Sequence, residues 1–281
     1  MSEPAPALRS VFRTRLKRVL VVVVGIYLLY GVGCATFQRR FIYFPPVIAP
    51  EQAAALGRAE GLAEWTAADG QHIGWKRLCS TQPAAGQVVV FHGNAGSAVG
   101  RAYYANVIQE AAPFDVFLME YPGYAEWPGS PSEASFDLAA EAACEGLATN
   151  LPTYLVGESL GSGVATFIAG RYPGRIAGIV LLGPYNRLSA VGQEQMPLLP
   201  VGLLLRDGFR SDEYLRQYHG PLAVLVAGRD TVVPEKFGRR LYDGYDGPKK
   251  VWEFPEGNHG TVMSQPAEVW REIVDFWGRK K

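Results

Sequence analysis

The chain has 281 residues, 48% of them hydrophobic and 19% charged, so it can fold around a core and is too apolar to be disordered. Its 27 basic and 27 acidic residues balance, which argues against a nucleic-acid partner bound by phosphate neutralisation. Three cysteines (Cys34, Cys79 and Cys144) are too few for a disulfide-rich scaffold, and no Cys/His cluster has zinc-site spacing.

The N-terminus combines a basic tail with a long apolar segment. Residues 1–18 hold five Arg and Lys residues and one Glu, and residues 19–37 carry no charge. As a helix, residues 19–37 would extend about 28 Å, close to the thickness of a bilayer's hydrocarbon core. Only Arg39 and Arg40 follow directly, so the positive-inside rule predicts a cytoplasmic N-terminus and a main domain outside the cytoplasm, periplasmic in a bacterium.

Three interpretations of this segment stay open. It is a single-pass transmembrane signal anchor, a lipoprotein signal that ends at Cys34, or a cleaved secretory signal. Gly31 and Gly33 supply small residues before Cys34, although Gly31 replaces the large apolar residue usual at lipoprotein sites. A buried helix of a soluble core is disfavoured, because four consecutive valines between basic flanks suit such a helix poorly.

Residues 40–281 are predicted to form one α/β domain, since no repeat, low-complexity tract or long linker interrupts them. A turn signal at 68–70 predicts an antiparallel hairpin of Leu62–Thr66 and His72–Leu78. Short apolar runs predict six more strands: Gln87–Phe91, Asp115–Glu120, Thr153–Val156, Ile176–Leu182, Leu222–Ala227 and Val251–Phe254. Helical periodicity marks Ser132–Thr149, Ser159–Arg171, Pro234–Tyr242 and Pro266–Lys281. This alternation predicts a mostly parallel central sheet covered by helices on both faces.

A nucleophile motif follows one of the predicted strands. Gly157-Glu158-Ser159-Leu160-Gly161 fits G-x-S-x-G and lies between a strand and a helix, so Ser159 is placed at the apex of a tight turn. The flanking glycines allow the strand and helix backbones to come close. The Leu160 N–H lies at the start of the helix, where it can stabilise developing negative charge.

A serine nucleophile needs a base, and the base needs a carboxylate that orients it. His259 and Asp230 each follow a predicted strand, and the order Ser159, Asp230, His259, with each residue after a strand, is the one that a triad on such an α/β sheet requires. The other histidines, His72, His92 and His219, fit this pattern less well. We therefore predict a catalytic triad of Ser159, Asp230 and His259.

Five motifs in order resemble the α/β-hydrolase superfamily and, within it, the membrane-anchored, bud-emergence-type serine hydrolases. They are HGNAGS (92–97), YPGYAEWPGSPSE (121–133), GESLGSG (157–163), GRDTVVP (228–234) and GNHG (257–260). The resemblance begins at about residue 41. It implies that the backbone N–H groups of Asn94 and Leu160 form the oxyanion hole. It also implies that Tyr121 and Tyr124 shape the site wall without a catalytic role.

These observations predict a serine hydrolase that cleaves carboxylic esters or thioesters through an acyl-enzyme. We expect it to need no cofactor or metal, to act as a monomer on a small-molecule or acyl ester, and to be attached to the membrane by its N-terminal segment. A peptidase or amidase with the same triad stays open as an alternative. A catalytically silent, membrane-anchored binding protein is the other alternative, and an intact Ser–Asp–His set argues against it.

Two expectations concern the cysteines and the segment between Pro184 and Pro221. In this fold, the strand that ends near Cys79 and the helix that carries Cys144 (Ser132–Thr149) both end at the sheet edge opposite the active site. The two cysteines therefore either form a disulfide or remain two thiols. Only 36 residues separate Pro184 from Pro221, which leaves little material for a lid and predicts a preference for short to medium esters. Alternatively, Met196–Leu205 lines an acyl groove near the membrane and favours long chains.

Overall fold

A computed structural model describes residues 6–67, 70–81 and 83–278 of the chain, with side chains from residue 12 onward. Most of the predicted 68–70 turn, the first five residues of the predicted basic tail and the last three residues of the chain lie outside this part. The hairpin strands on either side of the turn are described and form as expected.

An eight-stranded sheet forms the centre of the domain, with the strand order β1-β2-β4-β3-β5-β6-β7-β8. β2 pairs antiparallel with β1 and β4, and the other neighbours run parallel. All six residues of β3 and of β7 are buried, which explains why these runs are continuously apolar. The strands are β1 (Ala63–Thr66), β2 (His72–Arg77), β3 (Gly86–Phe91), β4 (Phe114–Met119), β5 (Thr153–Glu158), β6 (Ile176–Leu182), β7 (Leu222–Ala227) and β8 (Lys249–Phe254).

Helices cover both faces of the sheet and enclose two apolar cores. Phe136 of α4 and Ile168 of α5 pack in one core, whereas Ile108 of α3 and Trp270 of α11 pack in the other. The helices are α1 (Pro6–Ile42), α2 (Pro50–Ala59), α3 (Ala102–Ala111), α4 (Glu133–Glu145), α5 (Gly161–Arg171), α6 (Leu188–Gln195), α7 (Val201–Leu204), α8 (Ser211–Tyr214), α9 (Glu235–Asp243), α10 (His259–Met263) and α11 (Ala267–Trp277).

Helix α1 is longer than the predicted apolar segment 19–37. Its residues from Phe12 to Ile42 form a candidate membrane span, being long and apolar enough to cross a bilayer. The basic residues on both sides continue the helix because Arg and Lys are good helix formers. The helix ends shortly before Pro45 and Pro46, since a residue that precedes proline avoids helical backbone angles.

Cys79 and Cys144 do not form a disulfide, so the disulfide alternative is wrong. The Cys79 thiol donates a hydrogen bond to the Thr81 carbonyl at 2.7 Å and lies beside the end of α3. Cys144 is buried with α4 in the core on the other face of the sheet. The sequence argument placed both residues at the correct edge, but it did not resolve which face of the sheet each one occupies.

Candidate active site

The three predicted triad residues lie at the carboxyl-terminal edge of the parallel strands. Ser159 follows β5, Asp230 lies three residues after β7, and His259 lies five residues after β8 at the start of α10. Loops at this edge of an open parallel sheet gather the side chains that contact ligands. The fold therefore brings together three residues that are 29 to 100 positions apart in the chain.

Ser159 occupies a sharp turn between strand and helix. Its φ angle of +50° lies in the left-handed region, which a side chain other than glycine rarely adopts. A Cβ at Gly157 would lie 2.7 Å from the Ser162 Cα, and one at Gly161 would lie 2.1 Å from the Phe91 carbonyl oxygen. Both glycines are thus required by close backbone contacts, as the G-x-S-x-G reasoning predicts.

Hydrogen bonds connect the three side chains in series. His259 Nε2 lies 2.9 Å from Ser159 Oγ, and His259 Nδ1 lies 2.6 Å from Asp230 Oδ2. Because the carboxylate accepts from Nδ1–H, the neutral ring presents the Nε2 lone pair to the serine hydroxyl. Ser159 is only 9% exposed, so the hydroxyl faces a largely enclosed site. The arrangement can move a proton from the hydroxyl to the ring.

The base and its carboxylate are both held by their own loops. The Asp230 carboxylate is 1% exposed, and its Oδ1 accepts from the backbone N–H groups of Val232 and Val233 at 2.9 and 2.8 Å. Asn258 caps α10 by accepting from the N–H of Thr261, and this cap fixes the position of the adjacent His259. The carboxylate is therefore oriented before any substrate binds.

Asn94 and Leu160, the two residues of the expected oxyanion hole, line the same pocket as Ser159. Asn94 is in the loop after β3, and Leu160 directly precedes α5. Among the described residues, neither backbone N–H donates a hydrogen bond to another protein atom. Both groups are thus available to a negatively charged oxygen, which is what an oxyanion hole requires. The Asn94 side chain instead binds the end of α1: its amide donates to the Ile42 carbonyl, and its oxygen accepts from the Phe44 N–H at 3.0 Å.

A buried His92–Glu120 pair holds the loop that carries Asn94. His92 Nε2 lies 2.8 Å from Glu120 Oε1, and His92 Nδ1 donates to the Gly93 carbonyl at 2.8 Å. The second carboxylate oxygen accepts from the Ala98 N–H at 2.8 Å. Tyr121 also donates to the His92 carbonyl. The sequence analysis did not find this positioning role, although a Glu directly after a buried strand was an available signal.

Glu158, inside the nucleophile motif, forms a second pair that the sequence analysis missed. It accepts two hydrogen bonds from Arg101, both at 2.6 Å, and its side chain is 5% exposed. Burial lowers the pKa of Arg101, but the hydrogen bonds to Glu158 outweigh this effect and leave the pKa above its usual value. The pair joins the end of β5, next to Ser159, to the start of α3.

An apolar pocket of about 270 Å³ extends from Ser159. One wall comes from the segment between β6 and β7, including Leu199 and Leu204, and another comes from α1, including Cys34 and Ala35. The short Pro184–Pro221 segment is therefore a wall of the pocket, with additional material supplied by the N-terminal helix. The expectation that the short segment leaves little material over Ser159 did not include this contribution from α1.

Comparisons with known proteins agree with this architecture. A family model described as alpha/beta hydrolase fold matches residues 86–214. The uncharacterised protein MT2364 of Mycobacterium tuberculosis is 35% identical over 84% of this chain and 87% of its own length. A zebrafish (Danio rerio) protein named lysophosphatidylserine lipase ABHD12 is 25% identical over 82% of this chain and 72% of its own length. Among solved structures, the esterase Pf2001 of Pyrococcus furiosus superposes with a TM-score of 0.61 at 18% identity, covering 84% of this chain and 96% of that one.

Proposed function

The chain belongs to the α/β-hydrolase superfamily, and on this premise we propose that it is a serine hydrolase that cleaves carboxylic esters or thioesters through an acyl-enzyme. The observation that carries the proposal is the hydrogen-bonded series from Ser159 through His259 to Asp230, which opens into an apolar pocket. Membership of the superfamily alone would support hydrolase activity, but neither the serine mechanism nor the substrate class.

In the first half-reaction, Ser159 Oγ attacks the substrate's carbonyl carbon while His259 Nε2 takes the hydroxyl proton. The buried Asp230 carboxylate stabilises the imidazolium that forms. The N–H groups of Asn94 and Leu160 stabilise the tetrahedral oxyanion. His259 then donates its proton to the leaving oxygen or sulfur, and the carbon–heteroatom bond breaks to leave an acyl group on Ser159.

In the second half-reaction, water releases the acid. His259 takes a proton from the water, which attacks the acyl-enzyme carbonyl through a second oxyanion. The proton returns to Ser159 Oγ as the ester bond breaks. The hydrogen bond of Nδ1 to Asp230, at 2.6 Å, is kept in every step, while Nε2 exchanges a proton in turn with Ser159, the leaving group and water.

The lining of the pocket favours an acyl substrate over a peptide. Its walls are mostly aliphatic side chains, which bind a hydrocarbon chain and offer few partners for a peptide backbone. The name of the zebrafish relative, a lysophosphatidylserine lipase, supports the same choice. We further propose that α1 anchors the enzyme in a membrane, with the hydrolase domain outside the cytoplasm.

Covalent labelling tests the nucleophile. A fluorophosphonate should label the wild-type chain, and Ser159→Ala should abolish the label. Ser80→Ala, at an exposed serine far from the pocket, should label normally. Labelling that persists in Ser159→Ala would refute the proposal. Rates for an acyl ester, thioester and amide with one acyl group would then distinguish an esterase or thioesterase from an amidase, and no turnover of any of them would favour a silent binding protein.

A further inference from the structure

The segment Met196–Leu205 lies along α1 rather than only over the sheet. The Tyr27 hydroxyl donates to the Leu198 carbonyl at 2.7 Å, and the Gln38 amide donates to the Leu204 carbonyl at 3.1 Å. Tyr27 and Gln38 are 11 residues apart, about 16 Å along a helix. The segment therefore follows the second half of the candidate membrane span.

The depth of this contact follows from the length of the span. The uncharged residues 19–37 extend about 28 Å, while the hydrocarbon core of a bilayer is about 30 Å thick. A helix that crosses the bilayer must therefore use the whole uncharged stretch, up to Phe37. Tyr27 then lies near the middle of the hydrocarbon core, and the segment bound to it lies within the adjacent leaflet.

The side chains of the segment are suited to that environment. Leu198 and Leu203 are 83% and 87% exposed, and neither lines the pocket. In water, two leucines so exposed on one short segment would gain none of the free energy that burial of their apolar surface provides. In a leaflet they would contact lipid chains instead, as would the exposed valines and leucines of the proposed anchor α1.

Many backbone groups of the segment are also hydrogen-bonded within the protein, which favours contact with lipid. Gln193 is central: its amide donates to the Leu199 carbonyl at 2.9 Å, and its oxygen accepts from the Val201 N–H at 3.0 Å. The carbonyls of Met196, Pro197, Leu198 and Leu204 also accept from side chains, namely Gln193, Tyr27 and Gln38. Pro197 and Pro200 have no N–H to satisfy.

A polar boundary begins where the uncharged stretch ends. Gln38 is 8% exposed and makes two hydrogen bonds to the end of the segment, donating to the Leu204 carbonyl and accepting from the Arg206 N–H at 2.7 Å. One residue further, Arg39 makes two hydrogen bonds to Asp207, at 2.9 and 3.2 Å. These contacts fix the segment to α1 at the level of the lipid headgroups.

We propose that Met196–Leu205 inserts into the leaflet beside α1, and that the pocket between them takes the acyl chain of a bilayer lipid directly from the hydrocarbon phase. The pocket reaches Ser159 and has Ala35 of α1 and Leu199 of the segment among its lining residues, so two of its walls belong to the inserted parts. The inference rests on the proposed hydrolase activity of Ser159 and on anchoring by α1.

The depth of the segment can be measured on the full chain in phosphatidylcholine nanodiscs. An environment-sensitive fluorophore is attached to Leu203→Cys after the three native cysteines are replaced by serine. We expect lipids with a spin label on the acyl chain to quench it more strongly than lipids with a headgroup label. The matched control is Leu78→Cys, an exposed leucine after β2 at the opposite sheet edge, and it should be quenched by neither. Quenching of residue 203 by the headgroup label alone, or by neither, would overturn the insertion.

Activity measurements test the route of the substrate. The double variant Leu198→Asp, Leu203→Asp should lose about tenfold or more in kcat/KM for an umbelliferyl palmitate dissolved in phosphatidylcholine vesicles, because charged side chains resist insertion. The same double variant should hydrolyse umbelliferyl acetate in solution at a rate within about twofold of wild type. The control variant Leu78→Asp should hydrolyse both esters within about twofold of wild type. An unchanged rate on the palmitate would overturn the inference. If the wild type hydrolysed neither ester while residue 203 was quenched by the acyl-chain label, the hydrolase proposal would fail and the insertion would stand.

Discussion

The substitution Asp230→Asn keeps the size of the side chain but removes its charge and one of its two oxygens, so it tests the orienting role of the carboxylate alone. The asparagine oxygen can still accept from the N–H groups of Val232 and Val233, as Asp230 Oδ1 does now. The asparagine NH₂ would then face His259 Nδ1, where Asp230 Oδ2 now accepts at 2.6 Å. Two donors cannot share that contact, so the neutral ring must carry its proton on Nε2. It would then donate to Ser159 instead of accepting the hydroxyl proton.

The expected magnitude follows from losing the base while keeping the other parts of the site. In a serine-protease triad the equivalent change lowers kcat by about 10⁴, which corresponds to about 5.4 kcal/mol of barrier. The Asp230 side chain is 1% exposed, so water cannot easily replace the lost acceptor. We therefore expect kcat to fall by about 10³ to 10⁴. KM should change little, because Asp230 does not line the pocket.

Steady-state hydrolysis of nitrophenyl acetate by the full chain in detergent measures this effect. Asp212→Asn is the matched control, because Asp212 binds Arg187 at 2.8 Å and lies outside the triad. A melting temperature within a few degrees of wild type would show that Asp230→Asn still folds. A folded variant that keeps kcat within about tenfold of wild type would refute the orienting role.

Three further predictions concern the fold and its placement. Gly161→Ala puts a Cβ 2.1 Å from the Phe91 carbonyl oxygen, so the free energy of unfolding should fall by about 1–3 kcal/mol. Gly174→Ala is the control: a Cβ there meets no atom within 4 Å, so this variant should melt at the wild-type temperature. Burial, and to a lesser extent nearby carboxylates, raise the pKa of Asp137 to about 8. Between about pH 4 and pH 8 the folded chain therefore keeps a proton on Asp137 that the unfolded chain releases. The free energy of unfolding should fall as the pH rises through this range. Asp137→Asn should flatten that part of the melting-temperature profile, and an unchanged slope would contradict this. A reporter active only outside the cytoplasm, fused after residue 281, should work; activity of a cytoplasm-only reporter there would contradict the orientation.

The sheet could be predicted from sequence because its buried strands are uninterrupted apolar runs. All eight strands overlap the predicted segments, and the hairpin pairs as expected. Helix α3 was not predicted, although Ala102–Ala111 buries one face and exposes Asn106 and Glu110 on the other. The ends of α1 also differed, since hydropathy locates a span but not the helical residues beyond it.

The candidate site was predictable only in part. The positions of Ser159, Asp230 and His259 follow from motifs at strand ends, which depend on local sequence. The pairs His92–Glu120 and Arg101–Glu158 join residues 28 and 57 positions apart, and no local pattern indicates which distant side chain a buried charge will meet. The same holds for the pocket, because its walls combine residues near position 35 with residues near position 200.

The contribution of α1 to the pocket also affects how the protein should be produced. A version cut before Phe41 for soluble expression would lose Cys34, Ala35 and Gln38 and leave the pocket without one wall. Leu204 would then face water on the side where α1 now lies. Such a truncated enzyme would bind long acyl chains with fewer contacts, and each lost CH₂ contact is worth up to about 0.8 kcal/mol. Its substrate profile would shift toward short esters, so a screen run on the soluble fragment would overlook the chain lengths that the complete pocket holds.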